Sequence, residues 1–194
     1  MRKIFVFILL SFLISFDVNA FTLSQSVNSD HRDEKNMLRD RYRNPIETLN
    51  FFRVEPSMTI VELSPGRGWY TEILAKYMFE NGRYIAVPYN PNLGGYAERL
   101  WDNYSSLLQS NEIYSKIEIS YLFDKMAEDE SVDAVLTFRN IHNWINDGAK
   151  NAKIIFEQTY NVLRSGGFFG VVEHRAKINT LSLIHISEPT RLPG

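Results

Sequence analysis

The chain has 194 residues, 44% hydrophobic, 13% aromatic and 23% charged, with a formal net charge of −2. This composition belongs to a folded chain of about one domain and excludes a disordered or collagen-like one. Near-neutral charge argues against a general nucleic-acid or acidic-membrane binder, because neutralising phosphates takes a surplus of Lys and Arg. The absence of Cys excludes disulfides, thiolate nucleophiles, Fe–S clusters and Cys-based zinc sites.

Residues 1–20 read as a secretory signal peptide. Arg2 and Lys3 open it, Ile4 to Phe16 is almost wholly apolar, and Val18-Asn19-Ala20 offers a cleavage site. The apolar run is shorter than the roughly 20 residues of a membrane span. Removal is therefore expected, leaving an exported, periplasmic protein with no stable span in the mature chain. At the other end, Leu181 to Arg191 (LSLIHISEPTR) matches one reading frame of a transposase-based sequencing adapter. Residues 181–194 are read as an artefactual tail on a truncated gene, so His185, Ser187 and Glu188 receive no role.

Between these ends, residues 21–44 form a polar lead-in followed by a charged helix, and residues 45–180 carry the main domain. Residues 21–35 lack periodicity and are expected to be mobile. Asp33 to Arg41 is compatible with a helix. Pro45 opens the next one, with Asn44 as its cap and Ile46, Leu49 and Phe52 at helical spacing. Met58 to Leu63 is a short β-branched run bounded by prolines, the mark of a buried strand. Ser64 to Gly68 is a turn, and Trp69 to Glu80 a helix stopped by Asn81-Gly82. Arg83 to Val87 is a second strand and Pro88 to Gly95 a loop. Ala97 to Gln109 is a helix with a stripe of Leu100, Trp101, Tyr104, Leu107 and Leu108. Lys116 to Phe123 and Val132 to Phe138 read as the third and fourth strands. Asp147 to Arg164 is a long amphipathic helix capped by Gly166-Gly167, and Phe168 to Glu173 is the fifth strand. Strand and helix alternating at this spacing mean a parallel α/β sheet with helices on both faces, whose ligands lie beyond the carboxyl ends of the strands.

The strongest local signal is the first strand–turn–helix, VELSPGRGWYTEIL. Glycines at 66 and 68 permit positive φ and close ligand approach, and the following helix offers unpaired N–H groups. Glu62, at the strand end, can accept from an amine or a hydroxyl. A tight turn without a ligand remains the alternative.

The stretch from Glu62 to Gly68 resembles motif I of class I S-adenosylmethionine-dependent methyltransferases, with Ser64 in place of the first Gly. More specifically, residues 39–77 and LTFRNIHNW at 136–144 resemble a predicted bacterial methyltransferase family that often carries a signal peptide; the likeness runs from about Asp40 to Arg175. The resemblance implies a Rossmann-like, doubly wound, mostly parallel sheet of methyltransferase type, here truncated after the fifth strand. It implies S-adenosyl-L-methionine as cofactor, with Ser64, Gly66 and Gly68 under its methionine part and Glu62 near its amine or a bound water. The acid that usually holds the ribose falls on Pro88, leaving Asn90 as the nearest substitute and Tyr89 as a stacking partner for adenine. Asp124 lies near the expected adenine edge, and Asn140 on the cofactor side of the fourth strand. Arg139, His142 and Asn143 are the catalytic candidates, facing the methyl group.

A His can take a proton from an O or N nucleophile, but in-line methyl transfer can also rest on alignment and desolvation, so His142 is either a base or an orienting group. Asp40 to Arg43 form either a lid over the site or a solvated helix. His174, after Glu173, is a possible substrate contact. His31, His142 and His174 lack metal-ligand spacing, and no Ser sits in a nucleophile elbow.

The leading expectation is an S-adenosylmethionine-dependent methyltransferase acting on an unknown, small-molecule acceptor. One alternative is a binding module that has lost cofactor use. Another is a nicotinamide-dependent oxidoreductase, which would want Gly rather than Thr71 and an acid rather than Pro88. Methyltransferases of this class usually add two strands beyond the fifth, so an unpaired edge and an insoluble or inactive product are expected of the truncated chain.

Overall fold

The computed structural model describes residues 20–175. The expected adapter-like tail, and all but the last residue of the expected signal peptide, lie outside the described residues.

Residues 21–35, expected to be mobile, are instead ordered. Helix α1 (Leu23–Val27) opens on a reciprocal capping box. Thr22 Oγ1 accepts from the Gln25 N–H at 3.2 Å, and Gln25 Oε1 accepts from the Thr22 N–H at 2.8 Å. It buries Leu23 and Val27. The charged stretch that follows is two short helices, α2 (Glu34–Met37) and α3 (Asp40–Arg43), rather than one. Helix α4 (Pro45–Phe51) has Pro45 in its first turn as expected. Asn44, however, sits in the left-handed region at φ 45° and makes no side-chain cap. Leu49 is buried, whereas Ile46 and Phe52 pack on the core half-exposed.

The sheet comprises β1 (Thr59–Leu63), β2 (Arg83–Val87), β3 (Glu118–Ile119), β4 (Val132–Phe138) and β5 (Leu163–Val172), in the order β3-β2-β1-β4-β5. Every pairing is parallel. The connecting helices are α5 (Thr71–Tyr77), α6 (Gly95–Ser110), α7 (Ile141–Asn146) and α8 (Ala149–Val162). Strand period sorts the core. Ile60, Tyr84, Ala86 and Leu136 face α4, α5 and α6, while Val61, Leu63, Ile85, Val87 and Val135 face Trp144, Ala152 and Ile155 of α7 and α8.

The first, second and fourth strands fall where the sequence puts them. The third is far shorter than Lys116–Phe123, because regular pairing with β2 ends at Ile119. The N–H groups of Ser120 and Leu122 still reach Ala86 O and Pro88 O at 3.1 and 2.8 Å. Gly166-Gly167 does not cap α8. That helix ends at Val162, and the pair lies in a bulge where Val132 pairs with Leu163 and Ala134 with Phe168. Gly166 has φ +79°, and a Cβ on Gly167 would stand 3.0 Å from Asp133 O and 3.1 Å from Val132 O.

Candidate functional site

The chain runs outward from β1 through β2 to β3, then returns to β4 on the other side of β1. Strand order therefore reverses between β1 and β4, and the crevice beyond their carboxyl ends is where the fold leaves room for a ligand.

One lip of that crevice is the turn from β1 into α5. Ser64, Gly66 and Gly68 have φ of 52°, 63° and 82°. The two glycines answer different demands. A Cβ on Gly68 would collide with Leu107 and approach Tyr104 at 3.2 Å, so Gly68 lets α6 pack against the turn. A Cβ on Gly66 would have no neighbour within 4 Å, so Gly66 faces open space. Ser64, where the motif usually has Gly, takes the left-handed backbone anyway. Its N–H donates to Val87 O at 2.9 Å, and its buried Oγ has no hydrogen-bond partner among the described residues.

Beneath the lip lies a buried polar knot. Glu62 is 2% exposed. Its carboxylate accepts from the Tyr84 hydroxyl and, at 3.3 Å, from Thr71 Oγ1, which lies 3.1 Å from the Tyr104 hydroxyl. Burial pushes the Glu62 carboxyl up to about 7, opposed by these donors. The same burial, with Glu62 beside them, raises both tyrosines.

The opposite lip is the end of β4. Arg139 turns the chain at φ 67°. The Asn140 amide nitrogen lies 3.3 Å from Leu63 O, 3.2 Å from Ser64 O and 3.1 Å from Thr137 Oγ1, tying this lip to the first. His142 Nδ1 is 2.9 Å from Glu173 Oε2, so Nδ1–H donates to the carboxylate and Nε2 is left as the acceptor nitrogen. Glu173 also accepts from the N–H groups of Ile141 and His174, both at 3.1 Å. Arg139 Nε donates to His174 Nε2 at 2.8 Å, and partial burial, followed by Arg139, lowers the His174 pKa.

The third wall comes from the N-terminal helices. Arg32, whose side chain is fully buried, donates to Asp40 through two nitrogens at 2.7 and 3.0 Å, to Val27 O at 2.6 Å and to Glu72 at 3.4 Å. Asn36 donates to Glu72 at 2.8 Å, and Trp69 Nε1 donates to Asn36 O at 2.9 Å. The Arg43 guanidinium lies 4.6 Å over the Trp69 ring. The sequence offered Asp40 to Arg43 as a lid over the site but read residues 21–35 as a mobile lead-in, and so missed the part of this wall built on Arg32, Asn36 and Glu72.

These walls enclose a cavity of about 990 Å³. Of the expected site residues, the fold brings Glu62, Ser64, Gly66, Arg139, Asn140 and His142 to its lining, joined by His174. Gly68 lies just beneath. Asn90, Asp124 and Asn143 are not part of the lining. Asn90 spends its side chain accepting from the Asn92 N–H at 3.0 Å, Asp124 is exposed on the loop after β3, and Asn143 points outward from α7. Tyr89 packs into the core on the α7–α8 side of the sheet, where burial pushes its hydroxyl up to about 12. Of the helix at Asp40 to Arg43, Arg43 reaches the cavity.

No family model matches the chain, and no curated protein matches it. Solved structures do. An S-adenosylmethionine-dependent methyltransferase from Aquifex aeolicus aligns over 84% of this chain and 78% of its own, at 16% identity and TM-score 0.59. A Pyrococcus horikoshii OT3 protein aligns over 77% of this chain and 65% of its own, at 16% identity and TM-score 0.53. Geranyl diphosphate C-methyltransferase from Streptomyces coelicolor, solved with S-adenosyl-L-homocysteine, aligns over 75% and 50%, at 13% identity and TM-score 0.50. The chain thus spans between half and about four fifths of these proteins. The parallel sheet with helices on both faces, together with these likenesses, gives the chain the Rossmann-like α/β fold found in S-adenosylmethionine-dependent methyltransferases.

Proposed function

We propose that the chain is a methyltransferase that takes its methyl group from S-adenosyl-L-methionine and passes it to a small-molecule acceptor. The observation that carries this reading is Gly66. It holds a left-handed backbone with open space where a side chain would stand, on the lip facing His142 across one cavity. The methionine end of the cofactor fits the residues present, since the turn at Gly66 leaves room where a side chain would stand. The ribose end fits less well, because the Pro88 side chain has no polar atom, its carbonyl already accepts from the Leu122 N–H, and Asn90 is engaged in its own turn.

When bound, the cofactor supplies a methyl group activated by its sulfonium. The chain's own residues then align, exclude water and handle the proton. Asn140 holds the two lips in register. Glu173 fixes the His142 ring so that Nε2 can accept the acceptor's proton, with Arg139 and His174 beside it. Glu62 supports the turn from below through Thr71, the first residue of α5. We also read residues 1–20 as an export signal. A cut after Ala20 leaves the packed helix α1 intact, and fractionation of tagged protein tests that placement.

Calorimetry with S-adenosyl-L-homocysteine tests the function. One-to-one binding is expected, weakened at least about tenfold by Gly66→Val with unchanged circular dichroism. Heat from NADH and none from S-adenosyl-L-homocysteine would sink the reading. Pro88 and the engaged Asn90 favour a second one, a binding module without cofactor use, which predicts no heat from either.

A further inference from the structure

The chain as a whole is slightly acidic, at −2. Yet Arg39, Arg43, Arg67, Arg139 and Lys35 all line this one cavity, and none forms a salt bridge among the described residues. The nearby carboxylates are already committed. Asp40 is held by two nitrogens of Arg32, Glu72 by Arg32 and Asn36, Glu173 by His142 and two backbone N–H groups, and Glu62 by Tyr84 and Thr71. Asp33 alone is exposed on the lining, and its Oδ1 caps the Lys35 N–H at 2.8 Å.

Two of the cations are also placed rather than loose. Arg43 is half-buried and stacked 4.6 Å over Trp69. Arg139 is set by its positive φ and its 2.8 Å bond to His174, on the lip that carries His142. Arg39 stands one helical turn before Arg43. Arg43 feels the other two: its pKa is lowered first by burial and then by Arg39 and Arg139. Like charges gathered in a partly desolvated cavity are stabilised by an anion, and guanidinium forks match carboxylate and phosphate oxygens.

We propose that the acceptor is a small molecule bearing an oxyanion, a carboxylate or a phosphate, which Arg39, Arg43 and Arg139 bind so that its nucleophile lies beside His142. This rests on the methyltransferase reading and narrows its substrate class.

The test is calorimetric titration with inorganic phosphate and, separately, malonate, each with and without saturating S-adenosyl-L-homocysteine. The variants are Arg39→Gln, Arg139→Gln and, as a charge control on the far helix, Lys150→Gln. Saturable binding of either anion is expected alongside S-adenosyl-L-homocysteine. It should weaken about tenfold in Arg39→Gln and Arg139→Gln and stay unchanged in Lys150→Gln. The anion that binds more tightly identifies the headgroup class.

No saturable binding of either anion, or equal weakening by Lys150→Gln, overturns the proposal. So does competition between the anion and S-adenosyl-L-homocysteine, which would hand the arginines to the cofactor's own carboxylate. Anion binding without any S-adenosyl-L-homocysteine binding fails the methyltransferase reading itself, and with it the acceptor assignment.

Discussion

At the scale of single residues, the turn after β1 shows how much depends on φ. Gly66 and Gly68 were legible because only glycine enters that backbone region without cost. Ser64 occupies the same region at φ 52° with a Cβ and an unpartnered buried hydroxyl. Replacing it with Gly relieves backbone strain and removes the stranded polar group, partly offset by a more flexible unfolded chain. Ser64→Gly should therefore raise stability by about 1 kcal/mol, read as a higher urea midpoint with an unchanged slope. Asn90 shows the opposite limit. An Asn before Pro91 bonds its own backbone two residues on, and that local bond takes the group a cofactor would need.

At the scale of elements, the N-terminal segment differs most from expectation. Its polar residues suggested solvent, but they are turned inward onto α5, where Arg32, Asn36 and the Asp33 N–H surround Glu72. The Glu72 side chain is 1% exposed, and burial raises its pKa against these donors. Removing the cation strands that carboxylate. Arg32→Met should cost about 3 kcal/mol in chemical denaturation, whereas Lys35→Met, on the exposed face of α2, should cost little. The same segment carries Arg39 and Arg43 to the cavity, so undocking it should also weaken phosphate binding. Periodicity cannot reveal such docking, because the partners lie some 40 residues apart. Nor could alternation show where β3 stops pairing or that Gly166-Gly167 makes a bulge, since both depend on a neighbouring strand.

At the scale of the whole molecule, β1 is the central strand, and Glu62 is the carboxylate buried within it. Its pKa rises from 4.5 in the unfolded chain to about 7 in the fold. The folded state therefore holds the proton more tightly. Its contribution is most favourable below the unfolded value, is lost as pH rises toward 7, and is level above that. The size is roughly 3 kcal/mol. Denaturation midpoints at about pH 5 and about pH 8 should show wild-type stability falling across that window, and Glu62→Gln should remove this part of the fall. Glu72 shifts in the same direction and persists in the variant, so the difference between the two proteins is the readout.

The amino-acid order by itself determined the period-2 and period-3.6 runs, the turn glycines and hence a parallel α/β sheet with its glycine turn after β1, because these follow from local geometry and from which side chains shun water. Tertiary structure alone decided that the crevice lies between β1 and β4, that Glu173 holds His142, and that Arg39 and Arg43 meet Arg139 across it. Those meetings join segments about 30 to 100 residues apart, and only the strand order and the docking of the N-terminal helices bring them within reach.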